Sequence, residues 1–186
     1  MELVEPIKDQ NKIDKIKKLL KNRYNQIYLD IFEFGLNSAL RISDLLKLKF
    51  NDFDTDNYKL TIIETKTGKT NIIEMNEALI SIFEQRKKNN TDDEYLFTVH
   101  SNRQKGKPIS RQSVSRVFKE VGEDRTINIK LNTHSLRKTR GFHLYENGKS
   151  IELICKMLNH STPAVTMRYI GIDQKNVDDS FTQFVL

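Results

Sequence analysis

The chain has 186 residues, 37% of them hydrophobic and 30% charged, which suits one folded domain with a real core rather than a disordered chain. Its formal net charge of +6 favours an anionic partner, although charge alone shifts that expectation only modestly. The single cysteine, Cys155, excludes an internal disulfide, and no apolar run approaches the roughly 20 residues of a membrane span. With no signal peptide at the N-terminus, the expected location is the cytoplasm.

Residues 7–22 read as a charged amphipathic helix with Ile13, Ile16, Leu19 and Leu20 as its apolar stripe. Residues 24–36 (YNQIYLDIFEFGL) form a more apolar helix expected to run through the core. The periodicity of Ile42, Leu45, Leu46 and Leu48 then predicts a helix that begins at Arg41. An arginine there is ordinarily a surface residue. Asp44, three residues on, either holds it through a helical salt bridge or sits in solvent.

Alternation of period two follows. Strands are expected at residues 50–53, 58–64 and 71–75, with a turn at Gly68 and Lys66 beside it. A lysine in a hairpin turn is usually decoration, yet from there a flexible ammonium reaches into a groove. Residues 77–88 read as an amphipathic helix, 89–93 as a polar turn, Tyr95-Leu96-Phe97 as an apolar anchor and 100–108 as a basic loop. Ser110 caps a helix over 111–124, with Val114, Phe118 and Val121 inward. Arg111, Gln112, Ser113 and Arg116 lie on its exposed N-terminal side, as on a helix that reads DNA or on any soluble helix.

The densest chemistry lies between His134 and Tyr169. Asn132-Thr133 look like N-cap residues, so His134 and Arg137 are expected on one helix face, pointing into one pocket. His160 follows the apolar run Ile151-Leu153-Ile154-Met157-Leu158, where Ser161, Thr162 and Pro163 end one helix and start another. Tyr169 comes late in that second short helix. Cationic groups suit an anionic oxygen and a phenol suits nucleophilic attack, which together fit phosphodiester chemistry. Cys155 is expected to be buried packing, His143 packing within its helix, and His100 a loop residue. The final segment, 173–186, carries Val177, Phe181 and Phe184 as an apolar stripe that packs on its own domain or docks on a neighbouring subunit. Phosphate-loop, dinucleotide and C-x-x-C motifs are absent from the sequence, and the four histidines lack metal-ligand spacing, so neither metal nor cofactor is expected.

Arg41 in NSALRISDLLKLKFNDFD, Lys66 in ETKTGKT, His134-Ser135-Leu136-Arg137, His160 in LNHS and Tyr169 in TMRYIG together resemble the tyrosine recombinase (phage integrase) family. Each piece is weak alone; five in the family's order, over residues 7–172, are specific. Ala39 and Asn159 stand where the family commonly has glycine, and Lys138 replaces a frequent histidine or arginine. The resemblance implies a mainly α fold with a small three-stranded antiparallel β-sheet. It also implies a single catalytic domain over 1–186 with an N-terminal helix within 1–22, lacking the separate N-terminal domain that clamps DNA in most members. In size it is similar to the small recombinases that invert fimbrial promoters.

The implied activity is site-specific DNA cleavage and rejoining through a 3′-phosphotyrosine, without metal or ATP. Arg41 and Arg137 would grip the scissile phosphate and Tyr169 would attack it. His134 would serve as acid/base, Lys66 would protonate the leaving 5′-hydroxyl, and His160 would hydrogen-bond a phosphate oxygen, with Asp44 supporting. Double-stranded DNA is the implied partner, held by Arg111, Gln112, Ser113, Arg116, Lys138 and Arg140. A homotetramer on DNA and accessory DNA-bending proteins are also implied. The rival readings are a type IB topoisomerase-like enzyme and a non-catalytic DNA-binding accessory protein.

Overall fold

The computed structural model describes residues 4–89, 93–99 and 106–172. Its elements are α1 (Gln10–Arg23), α2 (Gln26–Ser38), α3 (Ile42–Leu45), β1 (Phe53–Asp54), β2 (Lys59–Ile63), β3 (Thr70–Glu74), α4 (Glu77–Asn89), α5 (Arg111–Gly122), α6 (Ser135–Glu146), α7 (Ile151–Met157) and α8 (Pro163–Ile170). The fold is mainly helical with one antiparallel sheet in the order β1-β2-β3. Lys59 to Ile63 of β2 pair in register with Glu74 to Thr70 of β3.

Helix starts follow local chemistry. The Asp9, Asn25, Ser110, Ser150 and Thr162 side chains each accept a backbone N–H of the first turn, and Pro163 sits at the first position of α8, where its missing donor costs nothing. The expected first helix starts three residues later than its pattern suggests. Residues before it run extended, and the Ile7 N–H donates to Thr139 Oγ1 across 132 positions of sequence. The predicted strand at 50–53 is mostly a 3-10 turn over Phe50–Asp52, leaving Phe53–Asp54 to pair with β2. Aromatic residues had suggested a strand, but the Asp52 carboxylate accepting the Lys49 N–H bends the chain there.

Packing divides the core in two. A large cluster joins α1, α2, α4, α5 and the sheet, with Phe32, Phe34, Phe97, Phe118 and Leu60 almost wholly buried. A smaller one holds Phe142, Ile154, Leu158, Ile170 and Ile172 between α6, α7 and α8. Burial of each large apolar side chain stabilises by about 1.5–3 kcal/mol, so the second cluster fixes α8 against α6 with only a few such anchors. α8 carries the last of the sequence's chemical residues. Its placement therefore rests on a small, tight interface.

Two non-glycine turns explain the sequence departures noted above. Ala39 has φ 53° and Asn159 has φ 49°, both left-handed. That region carries little penalty for glycine, is tolerated by asparagine, and costs alanine about 1–2 kcal/mol. Ala39 is only 1% exposed, so the strain is held by the packing around it.

Candidate active site

The turn after α2 delivers the first guanidinium. Arg41 does not begin a helix; it precedes α3 in extended conformation (φ −66°, ψ 142°). Its side chain therefore escapes the helical i,i+3 relation, and the expected salt bridge to Asp44 is not made. Arg41 Nη1 instead donates to Glu64 Oε2 at 2.7 Å, just beyond β2. Asp44 is neither solvated nor paired with arginine. It is buried, and its Oδ1 accepts the Thr65 N–H at 3.0 Å, tethering the turn that carries Lys66. Lys66 is exposed at that turn, as its sequence position suggested.

The second guanidinium is set differently. Arg137 in α6 is 4% exposed, with Nη1 donating to Ala39 O at 2.5 Å and Nη2 donating to Leu158 O. One planar fork thus joins α6 to the Arg41 turn and to the end of α7. His134 occupies the N-cap position of α6 in helical conformation, without a side-chain capping bond; Asn132 Oδ1 receives the His134 N–H instead. His134 lies just outside the helix proper and is exposed, yet it stays within electrostatic reach of Arg137. Its pKa is lowered by desolvation and by the charges of Arg111, Lys138, Arg137 and Lys66.

His160 and Tyr169 meet directly. Their rings pack edge to face with centroids 4.8 Å apart. His160 Nδ1 lies 3.0 Å from the buried Thr166 hydroxyl. Burial, then the neighbouring Arg137 and Arg41, lowers the His160 pKa to about 4. Burial raises the Tyr169 pKa, and the guanidinium groups of Arg137 and Arg41 oppose that rise. Lys138, expected to hold DNA, is 8% exposed, with Nζ 4.9 Å from the Tyr169 ring centroid, close enough for a cation–π contact.

The proposed DNA-facing residues divide likewise. Arg111, Gln112 and Arg116 are exposed on α5, whereas Ser113 is engaged with the Ser110 cap. Arg140 is half-buried, and its Nε has no hydrogen-bond partner among the described residues. It lines a groove of about 700 Å³ with Lys69 and Lys156. His143 is not merely packing, since its Nε2 donates to Ile7 O at 2.9 Å. Cys155 is buried as expected, its thiol facing His160 O. His100 and the 173–186 stripe lie outside the described residues. Among those residues, no cluster of His, Cys, Asp and Glu has metal-binding geometry, and no helix is long and apolar enough to cross a membrane.

Sequence reasoning passed over Glu64 and Thr166. Glu64 carried a signal in its place two residues before Lys66, but only folding shows that it is 1% exposed. Thr166 carried one too: on α8 it lies one helical turn before Tyr169.

The model of the Phage integrase family matches residues 8–176. The chain belongs to that family. It is 38% identical over 184 residues to the "Probable integrase/recombinase YoeC" of Bacillus subtilis (strain 168), covering 99% of this chain and 98% of that one. Against "Tyrosine recombinase XerA" of Pyrococcus furiosus identity is 28% over 171 residues, covering 90% of this chain but 58% of that longer relative. Among solved structures, the "Crystal structure of XerA recombinase" superposes with a TM-score of 0.75 at 20% identity, over 98% of this chain and 64% of that one. A lambda integrase(75-356) dimer bound to a COC' core site gives 0.70 at 19% identity, over 92% and 61%. These likenesses establish an integrase-family fold. Nothing in them favours the topoisomerase or the non-catalytic reading over recombination.

His160 gives this integrase-family chain a stability signature. Its folded pKa of about 4 lies below the ordinary 6.5, so the unfolded chain binds more protons between those values. The His160 contribution is fully present above about pH 6.5 and is lost as pH falls toward 4. Urea denaturation at pH 7.5, 6 and 5 should show stability falling, with a shallower fall in His160→Gln. Equal slopes would show that His160 is not held neutral.

Proposed function

We propose that this protein cleaves and rejoins double-stranded DNA through a 3′-phosphotyrosine formed on Tyr169, as a site-specific recombinase. The supporting observation is that groups far apart in sequence surround one phenol. The His160 ring touches it, and the charges of Arg137 and Arg41 both act on it. Tyr169 Oη attacks phosphorus, the bond to the 5′-oxygen breaks, and Lys66 gives that oxygen a proton. His134 takes the phenol proton. Arg41 and the donors of Arg137 not committed to Ala39 and Leu158 stabilise the pentacoordinate phosphate. His160 donates from Nε2 to a phosphate oxygen, which in its neutral form requires the Thr166 hydroxyl to donate to Nδ1. Rejoining reverses these steps with another strand's 5′-hydroxyl, so the phosphodiester energy is conserved and no ATP is consumed.

Residues 1–186 serve as one catalytic domain in the cytoplasm. Arg111, Gln112 and Arg116 face DNA from α5, joined by Arg140 from the groove. Recombination between two duplexes uses four such sites, so the assembly on DNA is a homotetramer, with accessory proteins bending the DNA.

The test is covalent trapping on nicked suicide substrates taken from DNA flanking the gene. Wild type should form a denaturation-resistant adduct, and Tyr169→Phe should form none while binding with similar affinity. Tight binding by both proteins with no adduct from either would leave a DNA-binding module.

A further inference from the structure

Glu64 is a carboxylate removed almost entirely from water, just beyond the end of β2. A buried anion persists only where donors replace its hydration. Glu64 Oε2 accepts from Arg41 Nη1 at 2.7 Å, Thr67 Oγ1 at 2.7 Å and Asn159 Nδ2 at 2.8 Å, while Oε1 is 3.5 Å from Asn71 Nδ2. Although burial would raise its pKa, the bonds from Thr67, Arg41 and Asn159 win and lower it, so the group is anionic. The Glu64 backbone also closes the Lys66 turn, with its N–H to Lys69 O and its carbonyl accepting from Gly68.

Three pieces of the site thus converge on one side chain: the Arg41 turn, the turn that presents Lys66, and the residue immediately before His160. We propose that Glu64 is a positioning residue that locks Arg41, the Lys66 turn and the His160 loop into one constellation before DNA arrives. Asn159 is its matched partner. The left-handed turn there suits glycine equally well, but only a side chain such as asparagine supplies the third donor. Charge pairing with the half-buried Arg41 guanidinium is the simpler reading of that contact. It does not account for two further neutral donors, Thr67 and Asn159, on the same oxygen.

This inference rests on the recombinase reading, and the experiment separates the two. In DNA-free protein, the guanidinium ¹⁵N resonances of Arg41 report slow rotation when Nη1 is held. They should be resolved in wild type, averaged in Glu64→Gln and partly averaged in Asn159→Gly. In single-turnover trapping on a suicide substrate, Glu64→Gln should cleave about 30- to 100-fold more slowly with DNA affinity within about threefold of wild type. Asn159→Gly should slow wild type about tenfold but add little to Glu64→Gln, because the two share one network.

Unchanged Arg41 resonances in Glu64→Gln overturn the proposal. So does a rate loss that disappears when wild type and variant are compared at equal distance below their melting temperatures, since that marks a purely structural role. Failure of wild type to form any adduct sinks the recombinase reading instead, and the resonance comparison still decides what Glu64 holds.

Discussion

Arg137→Ala is expected to cost about 3–5 kcal/mol of folding stability as well as cleavage, because it removes two charge-assisted bonds and strands two buried carbonyls. Ala39 O and Leu158 O receive Nη1 and Nη2 of the same guanidinium, at a site 4% exposed. A catalytic arginine at an open phosphate site would show little of that loss, since water would replace its partners. Arg137→Lys provides the sharper comparison. Its ammonium restores a charge but cannot span two carbonyls and still present a donor pair to phosphate. It should recover part of the stability, yet cleave about 10²- to 10³-fold more slowly than wild type. Chemical denaturation alongside single-turnover trapping checks both. Wild-type stability in Arg137→Ala would mean that the fork is not structural.

Gly141→Ala should separate rate from stability in the opposite way. Gly141 lies on α6 where α8 crosses it; an added methyl would stand 2.6 Å from Ile170 Cγ2 and 3.3 Å from Leu158 Cδ1. Ile170 is fully buried and follows Tyr169 directly, so something at Ile170 must give to admit the methyl, and a shift of α8 carries Tyr169 with it. Overpacking costs about 1–3 kcal/mol, but alanine recovers up to about 1 kcal/mol of helix propensity over glycine. The net loss should be near 1–2 kcal/mol. A displacement on the order of 1 Å at the nucleophile costs about 10²-fold in rate, more than the modest loss of stability suggests. Wild-type cleavage at reduced stability would show that α8 yields without moving Tyr169.

Much of this was legible in the chain itself. Most of the helices and the hairpin of β2 and β3 follow from apolar period, from capping residues such as Ser110 and Thr162, and from the turn at Gly68, all of which are local; the expected strand at 50–53 does not, since Phe50–Asp52 form a 3-10 turn. Arg41, Lys66, His134, Arg137, His160 and Tyr169 stood out because their order and flanking residues resemble one family. Their partners did not stand out. Spacing offered Asp44 to Arg41, yet Arg41 precedes its helix and pairs with Glu64, 23 positions away. Lys138 is expected to hold DNA, yet it is packed against the Tyr169 ring from a helix 31 residues upstream.

The physical reason is the range of the forces involved. Caps and amphipathic period act within a turn or two of chain, so residue order alone determines them. Whether a charged side chain meets water, a carboxylate or an aromatic face depends on which segments the core brings together. Here the small cluster of Phe142, Ile154, Leu158 and Ile170 decides that Tyr169 meets His160 and Lys138. The sequence by itself determined the elements and the reactive groups. Only tertiary packing decided that Arg137 is a structural fork, that Glu64 is the shared anchor, and that Lys138 belongs to the tyrosine rather than the surface.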